Sequence, residues 1–371
     1  MLKVRGDEYS VPVLAQFDWH ALPGLTEEWR SDPLPLYGGS QAALPGDNKI
    51  AGVLADGTAG MAIYHHLPRE KYSSATGCKT YGFVGDRILA QGSGIARYRE
   101  GTGETIATFV DQGALTSPLT ICTDGRTRTV APGESVSITD TSDAPIWLHI
   151  GAKGYVILPA GAPVSVRVVT GDKVNVTDRN FKFKGKRRPG YVIAIDHGTQ
   201  PDAATYTYAM IPNAELHDMP AAAAELADSY RFVKDGARAH ALMTPDGTRQ
   251  YAFFGPGSIT AGDLTVTADA PSQLMLRETR DSYILSIGNP APDDSRQTLT
   301  FNTSRPLPAG TYTYTCGGIY PLIGETVTVA PEGTGSRITV ELPDARDEER
   351  YHYQTKLYSG VPIVVTIPKN K

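Results

Sequence analysis

The chain has 371 residues, 40% hydrophobic and 20% charged, with 38 Gly, 27 Pro, 19 Tyr and a formal net charge of −5. That length allows about two domains at roughly 100–200 residues each, and the apolar content excludes a disordered chain. The acidic balance excludes a broad nucleic-acid-binding face, the absence of any apolar run near ~18 residues excludes a membrane-spanning helix, and the abundance of turn residues excludes long helical bundles.

In chain order, the N-terminus Met1-Leu-Lys-Val-Arg-Gly-Asp-Glu-Tyr lacks the apolar stretch of a secretion signal. Residues 1–60 read as short strands broken by turns such as Pro23-Gly24, Gly38-Gly39 and Pro45-Gly46. Alternating apolar and polar residues then recur at Arg87–Gln91, Thr105–Val110, Ser135–Thr139, Val164–Val169 and Thr205–Ile211. Turn residues every 8–12 positions make this the pattern of a large antiparallel β-sandwich. The alanine-rich segment after Asn213 breaks it, and residues 220–228 are predicted to form a short helix with Pro220 in its first turn. Strands resume at Arg238–Met243, Gln250–Phe254, Leu264–Ala268, Gln273–Arg277, Tyr283–Ile287, Thr311–Thr315, Arg337–Leu342 and Pro362–Ile367. The expected fold is therefore all-β: a large antiparallel β-sandwich over 1–220, a short helical linker over 220–228 and a smaller antiparallel β-sandwich over 229–371.

Few residues carry chemistry on their own. Cys78, Cys122 and Cys316 are odd in number and far apart, so they build neither a metal site nor a disulfide framework. In Ile195-Asp196-His197-Gly198, neighbours on a strand face opposite ways, so Asp196 and His197 do not form one acid–base unit; a strand end turning at Gly198 is expected. The same alternation separates His65 from His66, which are assigned a surface or edge role rather than a shared metal. Gly92-Ser93-Gly94 lacks the Lys-Ser/Thr of a phosphate loop and reads as a turn or bulge. The dense basic run Lys182, Lys184, Lys186, Arg187 and Arg188 either attracts an acidic polysaccharide or guards an edge strand. Of the three tryptophans, Trp19 and Trp147 are assigned to the core and Trp29, among Glu27, Glu28 and Arg30, to the surface, where its ring can stack on a sugar. Trp29 and the basic run are thus the candidate substrate-binding residues, and no residue is assigned a catalytic or metal-binding role.

Several segments resemble polysaccharide lyase family 8, the lyases of hyaluronan, chondroitin and xanthan. Asp18-Trp19-His20-Ala21-Leu22-Pro23-Gly24-Leu25-Thr26 is similar to the family's Asp-Trp-x-x-x-Pro-Gly-Thr-Thr. Lys79-Thr80-Tyr81-Gly82-Phe83 with Ala90-Gln91-Gly92-Ser93-Gly94-Ile95 resembles Lys-Ser-Trp-Phe-Phe with Ala-Leu-Gly-Ser-Gly-Ile. Thr105 to Asp111 corresponds to a Glu-Thr-Thr-Val-Glu-Asn segment. Asp196-His197-Gly198, Ala204-Thr205-Tyr206-Thr207-Tyr208 and Ile211-Pro212-Asn213 resemble Asp-His-Gly, Ala-x-Tyr-x-Tyr and Leu-Pro-Asn. The departures are Leu25, Tyr81 and Gln91, which mark a divergent member. Order and spacing agree over residues 1–215, and 230–300 resemble the family's small C-terminal domain.

The resemblance implies β-elimination: the uronate carboxylate is neutralised, the C5 proton is abstracted and the 4-linked oxygen is expelled. In the family, the Asn, His, Tyr and Arg that do this lie in a preceding α/α-toroid, with a further Glu just upstream of the matched region, so no catalytic residue is carried over to this chain. His197 and Tyr206 match positions of structural character. The implied chain is the β portion of a lyase, from a truncated or split gene, with an acidic polysaccharide and a helical catalytic domain or subunit as partners and an extracellular or periplasmic home. No cofactor is implied; some members hold a calcium or sodium ion, and no carboxylate cluster here places one. Two other readings stand beside this one: a non-catalytic carbohydrate-binding or structural β module, and an independent enzyme with its own site.

Overall fold

The computed structural model describes residues 18–31, 48–67, 74–140, 142–159, 163–171, 189–291, 298–313, 315–316, 326–342 and 362–369. Two compact units divide the chain. The first comprises Met1–Asp47, His66–Gly77 and Asp86–Asp228, and the second Asn48–His65, Cys78–Gly85 and Ser229–Lys371.

The described strands up to the helix are β1 (Thr26–Glu28), β2 (Ala51–Ala55), β3 (Ala59–His66), β4 (Ala75–Val84), β5 (Arg87–Arg97), β6 (Ile106–Ala114), β7 (Leu119–Thr123), β8 (Arg126–Val130), β9 (Ser135–Asp140), β10 (Ile146–Ile150), β11 (Lys153–Ile157), β12 (Val164–Gly171), β13 (Gly190–Asp196) and β14 (Ala204–Pro212). Helix α1 (Met219–Asp228) follows. The first unit holds a five-stranded sheet ordered β1-β6-β13-β12-β9 and a second run ordered β5-β14-β11-β10-β7-β8. The pairings within the five-stranded sheet are all antiparallel. Val166, Val168, Ile193 and Ile195 of one sheet and Tyr155, Ile157 and Tyr208 of the other are buried.

Three local features shape this unit. In β6, Asp111 pairs with Ile193 and Phe109 with Ala194, so Val110 is one residue too many for its partner strand. This β-bulge resets the alternation: Phe109 packs on the outer face with Ala21, Ala107, Val192 and Ala194, while Asp111 reaches the interior. In β5, Tyr206 pairs with Gly92 and Ala204 with Ile95, a second irregularity, and Gly94 sits at φ +60. The Gly-Ser-Gly segment is thus a bulge within a strand rather than a turn, and Gly92 leaves room for the Tyr206 ring, which a Cβ there would strike. Helix α1 packs on β10 and β11 through a buried side formed by Met219, Ala223 and Leu226, with Met219 fitted against Gly154. The helix is therefore part of the first unit's outer wall.

In the second unit, the later strands are β15 (Arg231–Asp235), β16 (Ala239–Met243), β17 (Arg249–Phe253), β18 (Gly257–Ala261), β19 (Leu264–Ala268), β20 (Ser272–Glu278), β21 (Ser282–Gly288), β22 (Thr298–Thr303), β23 (Gly310–Thr313), β24 (Thr315–Cys316), β25 (Thr326–Glu332), β26 (Gly335–Glu341) and β27 (Ile363–Pro368). They form a seven-stranded sheet, β15-β16-β17-β20-β21-β27-β24, and a six-stranded sheet, β18-β19-β22-β26-β25-β23. Tyr251, Phe253, Leu274 and Leu285 of the first meet Ile259, Val266, Phe301 and Val340 of the second in one core. Each large apolar side chain fully buried there stabilises by about 1.5–3 kcal/mol. A smaller cluster joins Leu54, Met61 and Ile63 of the β2–β3 hairpin to Ala252 and Met275, so this early hairpin groups with the late strands.

Candidate functional site

A cleft of about 510 Å³ opens where β12, β13 and β14 end in the first unit, lined by Ser165, Asp196, His197, Thr205, Tyr206 and neighbours. β13 stops at Asp196, and Gly198, at φ +80, turns the chain away. The alternation of the strand separates the two polar groups at its end. Asp196 accepts a hydrogen bond from the Thr105 hydroxyl and one from the Gly198 amide at 2.8 Å. His197 Nε2 lies 2.8 Å from Thr108 Oγ1, which is 2.7 Å from Thr26 Oγ1. The imidazole thus closes a row of hydroxyls inside the sandwich, and the carboxylate ties down the outer rim. Tyr206 lies between the His197 ring, 6.2 Å away, and the Tyr208 ring, 5.6 Å away and stacked. The cleft offers hydroxyl, carboxylate and aromatic surface of the kind that fits a sugar ring, with no paired acid and base.

Among the described residues of this unit, two charge clusters are buried. Asp111, fully enclosed, accepts from Tyr155 Oη at 2.6 Å, Tyr191 Oη at 3.1 Å and Lys153 Nζ at 3.3 Å. Burial and the adjacent Asp111 charge push the Tyr155 phenol well above its ordinary value, so it stays protonated and donates. Glu28 pairs with Arg97 and accepts the amides of Thr102 at 3.1 Å and Gly103 at 3.2 Å. Burial favours its neutral form, but these partners outweigh that and hold the carboxyl below its ordinary value. Arg97 also donates to the carbonyls of Thr199 and Glu104, so one ion pair fastens three segments. Both clusters hold the fold together rather than facing an open site.

The sequence candidates fall out as follows. Trp147 is buried, while Trp19 and Trp29 are both half-buried. Trp29 donates from Nε1 to Asp18 Oδ2 at 3.2 Å, meets Phe109 edge-on at 5.3 Å and carries the Arg167 guanidinium 4.4 Å from its centroid. Asp18 is held below its ordinary value despite burial, because His20 and Trp29 donate hydrogen bonds to it. The expected exposed tryptophan is thus braced on several sides, because the Asp18 segment folds over the outer sheet face. Lys182, Lys184, Lys186, Arg187 and Arg188 lie outside the described residues. His66 is buried, with Nε2 3.8 Å from Glu27 Oε2, so it takes no surface role. Among the described residues, no group of three or more His, Cys, Asp or Glu side chains is placed to hold a metal ion, and no helix is long and apolar enough to cross a membrane. Cys78 and Cys122 are buried free thiols, and burial pushes Cys78 up to about 12. Sequence reasoning missed the Asp111–Lys153 and Glu28–Arg97 pairs and Arg167. Only the charged residues inside strand patterns could have flagged them.

Comparison with known proteins follows the same lines. Residues 1–223 match the profile described as polysaccharide lyase family 8, super-sandwich domain. Chondroitinase-AC of Pedobacter heparinus is 24% identical over 307 residues, covering 81% of this chain and 40% of that protein. Chondroitin sulfate ABC exolyase of Bacteroides thetaiotaomicron is 26% identical over 74% of this chain and 26% of its own length. Hyaluronate lyase of Thermasporomyces composti is 25% identical over 76% of this chain and 38% of its own length. The chain thus spans well under half the length of these relatives. Among solved structures, Paenibacillus xanthan lyase superposes with a TM-score of 0.71 at 19% identity, over 95% of this chain and 31% of that one. The chondroitin AC lyase of Streptomyces coelicolor A3 superposes at 0.65 and 20% identity, over 95% and 40%. At these identities the structural likeness speaks to the fold.

Proposed function

We propose, because the chain belongs to polysaccharide lyase family 8, that its β units are the sugar-positioning scaffold of a lyase that cleaves uronic-acid-containing polysaccharides of the chondroitin and hyaluronan type by β-elimination. Such cleavage needs a group that neutralises the uronate carboxylate and a base that takes the C5 proton. The observation that carries the reading is how the titratable groups of the first unit are used. Asp111, Lys153, Glu28 and Arg97 are committed to buried pairs, and Asp196 and His197 serve separate hydroxyls. In this reading the proton-transfer groups belong to a helical domain outside these sheets, and the cleft at Asp196 and Tyr206 holds part of the sugar strand. The relatives named for chondroitin and hyaluronan support the substrate class, and a site of action outside the cytoplasm follows from the size of such polymers. Equilibrium binding tests this. The purified chain is expected to bind hyaluronan and chondroitin oligosaccharides and not a neutral glucan; equal binding to the neutral glucan, or none to any acidic polymer, would overturn it. Binding that persists without product even when a helical lyase domain is added in trans would favour a non-catalytic binding module instead.

A further inference from the structure

On the outer face of the five-stranded sheet stands a cation that is held and, among the described residues, has no carboxylate partner. Arg167 stands on β12 between Ser165 and Val169, which share its face because residues two apart on a strand point the same way. Its guanidinium lies over the Trp29 ring at 4.4 Å, well within cation–π range. The ring is itself fixed by Asp18 and Phe109. Among the described residues, no carboxylate or other acceptor partners the Arg167 guanidinium. Other arginines of this protein contrast with it: Arg97 pairs with Glu28, Arg87 with Glu225, Arg277 with Asp56 and Arg249 with Asp263.

A guanidinium seated over a ring makes that contact with its charge, and its planar fork of N–H groups matches the two oxygens of a carboxylate or sulfate. The surroundings suit such a guest. Ser137 sits directly opposite Arg167 in register and is exposed. The Ser165 and Thr139 hydroxyls lie 3.1 Å apart beside it. Ser165 also lines the cleft, and it is two residues from Arg167, about 7 Å along the strand. Asp196, the strand partner of Ser165, occupies the cleft end of the same face and repels an anion there. A strand of sugars crossing this face therefore meets hydroxyls and a negative charge in the cleft, then the positive charge of Arg167 beyond it.

We infer that Arg167, held by Trp29 and flanked by Ser137 and Ser165, is an oxyanion subsite that takes a carboxylate or sulfate of an acidic polysaccharide whose neighbouring sugar occupies the cleft. This rests on the acidic-polysaccharide reading and assigns Trp29 a holding role rather than a stacking one. Titration calorimetry on the full chain tests it, with hyaluronan oligosaccharides as the carboxylate probe, carboxyl-reduced chondroitin sulfate as the sulfate probe and a neutral glucan as reference. Arg167→Met is expected to weaken binding about tenfold or more, the worth of a charged hydrogen bond. Arg167→Lys recovers only part of this, because an ammonium lacks the bidentate edge. The probe whose binding depends on Arg167 identifies the oxyanion. Unchanged binding of both probes by Arg167→Met and Arg167→Lys would overturn the subsite while leaving the polysaccharide reading intact; failure of the unaltered chain to bind any acidic probe would overturn both. If Arg167→Met does not fold, Arg167→Lys alone decides, with wild-type affinity for both probes counting against the subsite.

Discussion

Gly92 shows how much of this fold rests on single side chains. It lies in mid-strand without a positive φ, and its constraint is the Tyr206 ring stacked on it. Gly92→Ala is expected to cost about 1–3 kcal/mol, as overpacking does, whereas Gly255→Ala, where nothing lies within 4 Å, should be near neutral. Denaturant midpoints of the two variants check this. Arg97→Met leaves Glu28 buried and unpaired and should cost about 3–5 kcal/mol by the same measurement. His240 gives a signature in pH. Burial, with Lys234 adding repulsion, pushes its imidazole down to about 3. The unfolded chain takes up that proton near ~6.5, so the unfolded state binds more protons between those values. The resulting stability is complete above ~6.5 and is lost as the pH falls toward 3. His240→Asn should flatten the slope of stability between about pH 4 and 6.5, read by urea denaturation at each pH; an unchanged slope would refute a buried neutral imidazole.

At the scale of elements, alternation in the sequence marked strands whose sheet has one apolar face, such as Leu264–Ala268, whose bounds are those of β19, and passed over others such as β10 and β11, which are buried at every position. The helix was equally legible, since Pro220 and the alanine run leave few alternatives. What alternation could not reveal is where it is broken on purpose. The bulge at Val110 moves Asp111 inward, and nothing in Thr105–Asp111 distinguishes it from an ordinary strand with an exposed carboxylate. The strand end at Asp196–Gly198 was legible for the same reason, because a strand end with its Gly turn is written locally, but that it lines a cleft with Ser165 and Tyr206 was not. Arg167 was not, because its partner Trp29 lies 138 positions away and meets it only once the Asp18 segment folds across the sheet. The inward turn of Asp111 has a measurable consequence. Asp111→Asn should destabilise by about 3–5 kcal/mol through the stranded Lys153, and the double change Asp111→Leu with Lys153→Met should recover much of that loss. A double-mutant cycle on unfolding free energies gives the answer.

In the first unit, the pairs Asp111–Lys153 and Glu28–Arg97 serve construction, while a cleft and Arg167, without a carboxylate partner among the described residues, meet along β12. The proposed function makes this scaffold hold a polyanion and leave proton transfer to another body. The affinity of the chain for acidic polysaccharide should therefore fall steeply with salt, since exposed charge pairing is screened over about 8–10 Å at physiological ionic strength. The most direct measurement is the ultraviolet absorbance of unsaturated product when the purified chain is incubated with chondroitin, hyaluronan and xanthan. The account predicts binding without any rise in absorbance from the chain alone; sustained turnover by the chain alone would place the chemistry inside these sheets and contradict it.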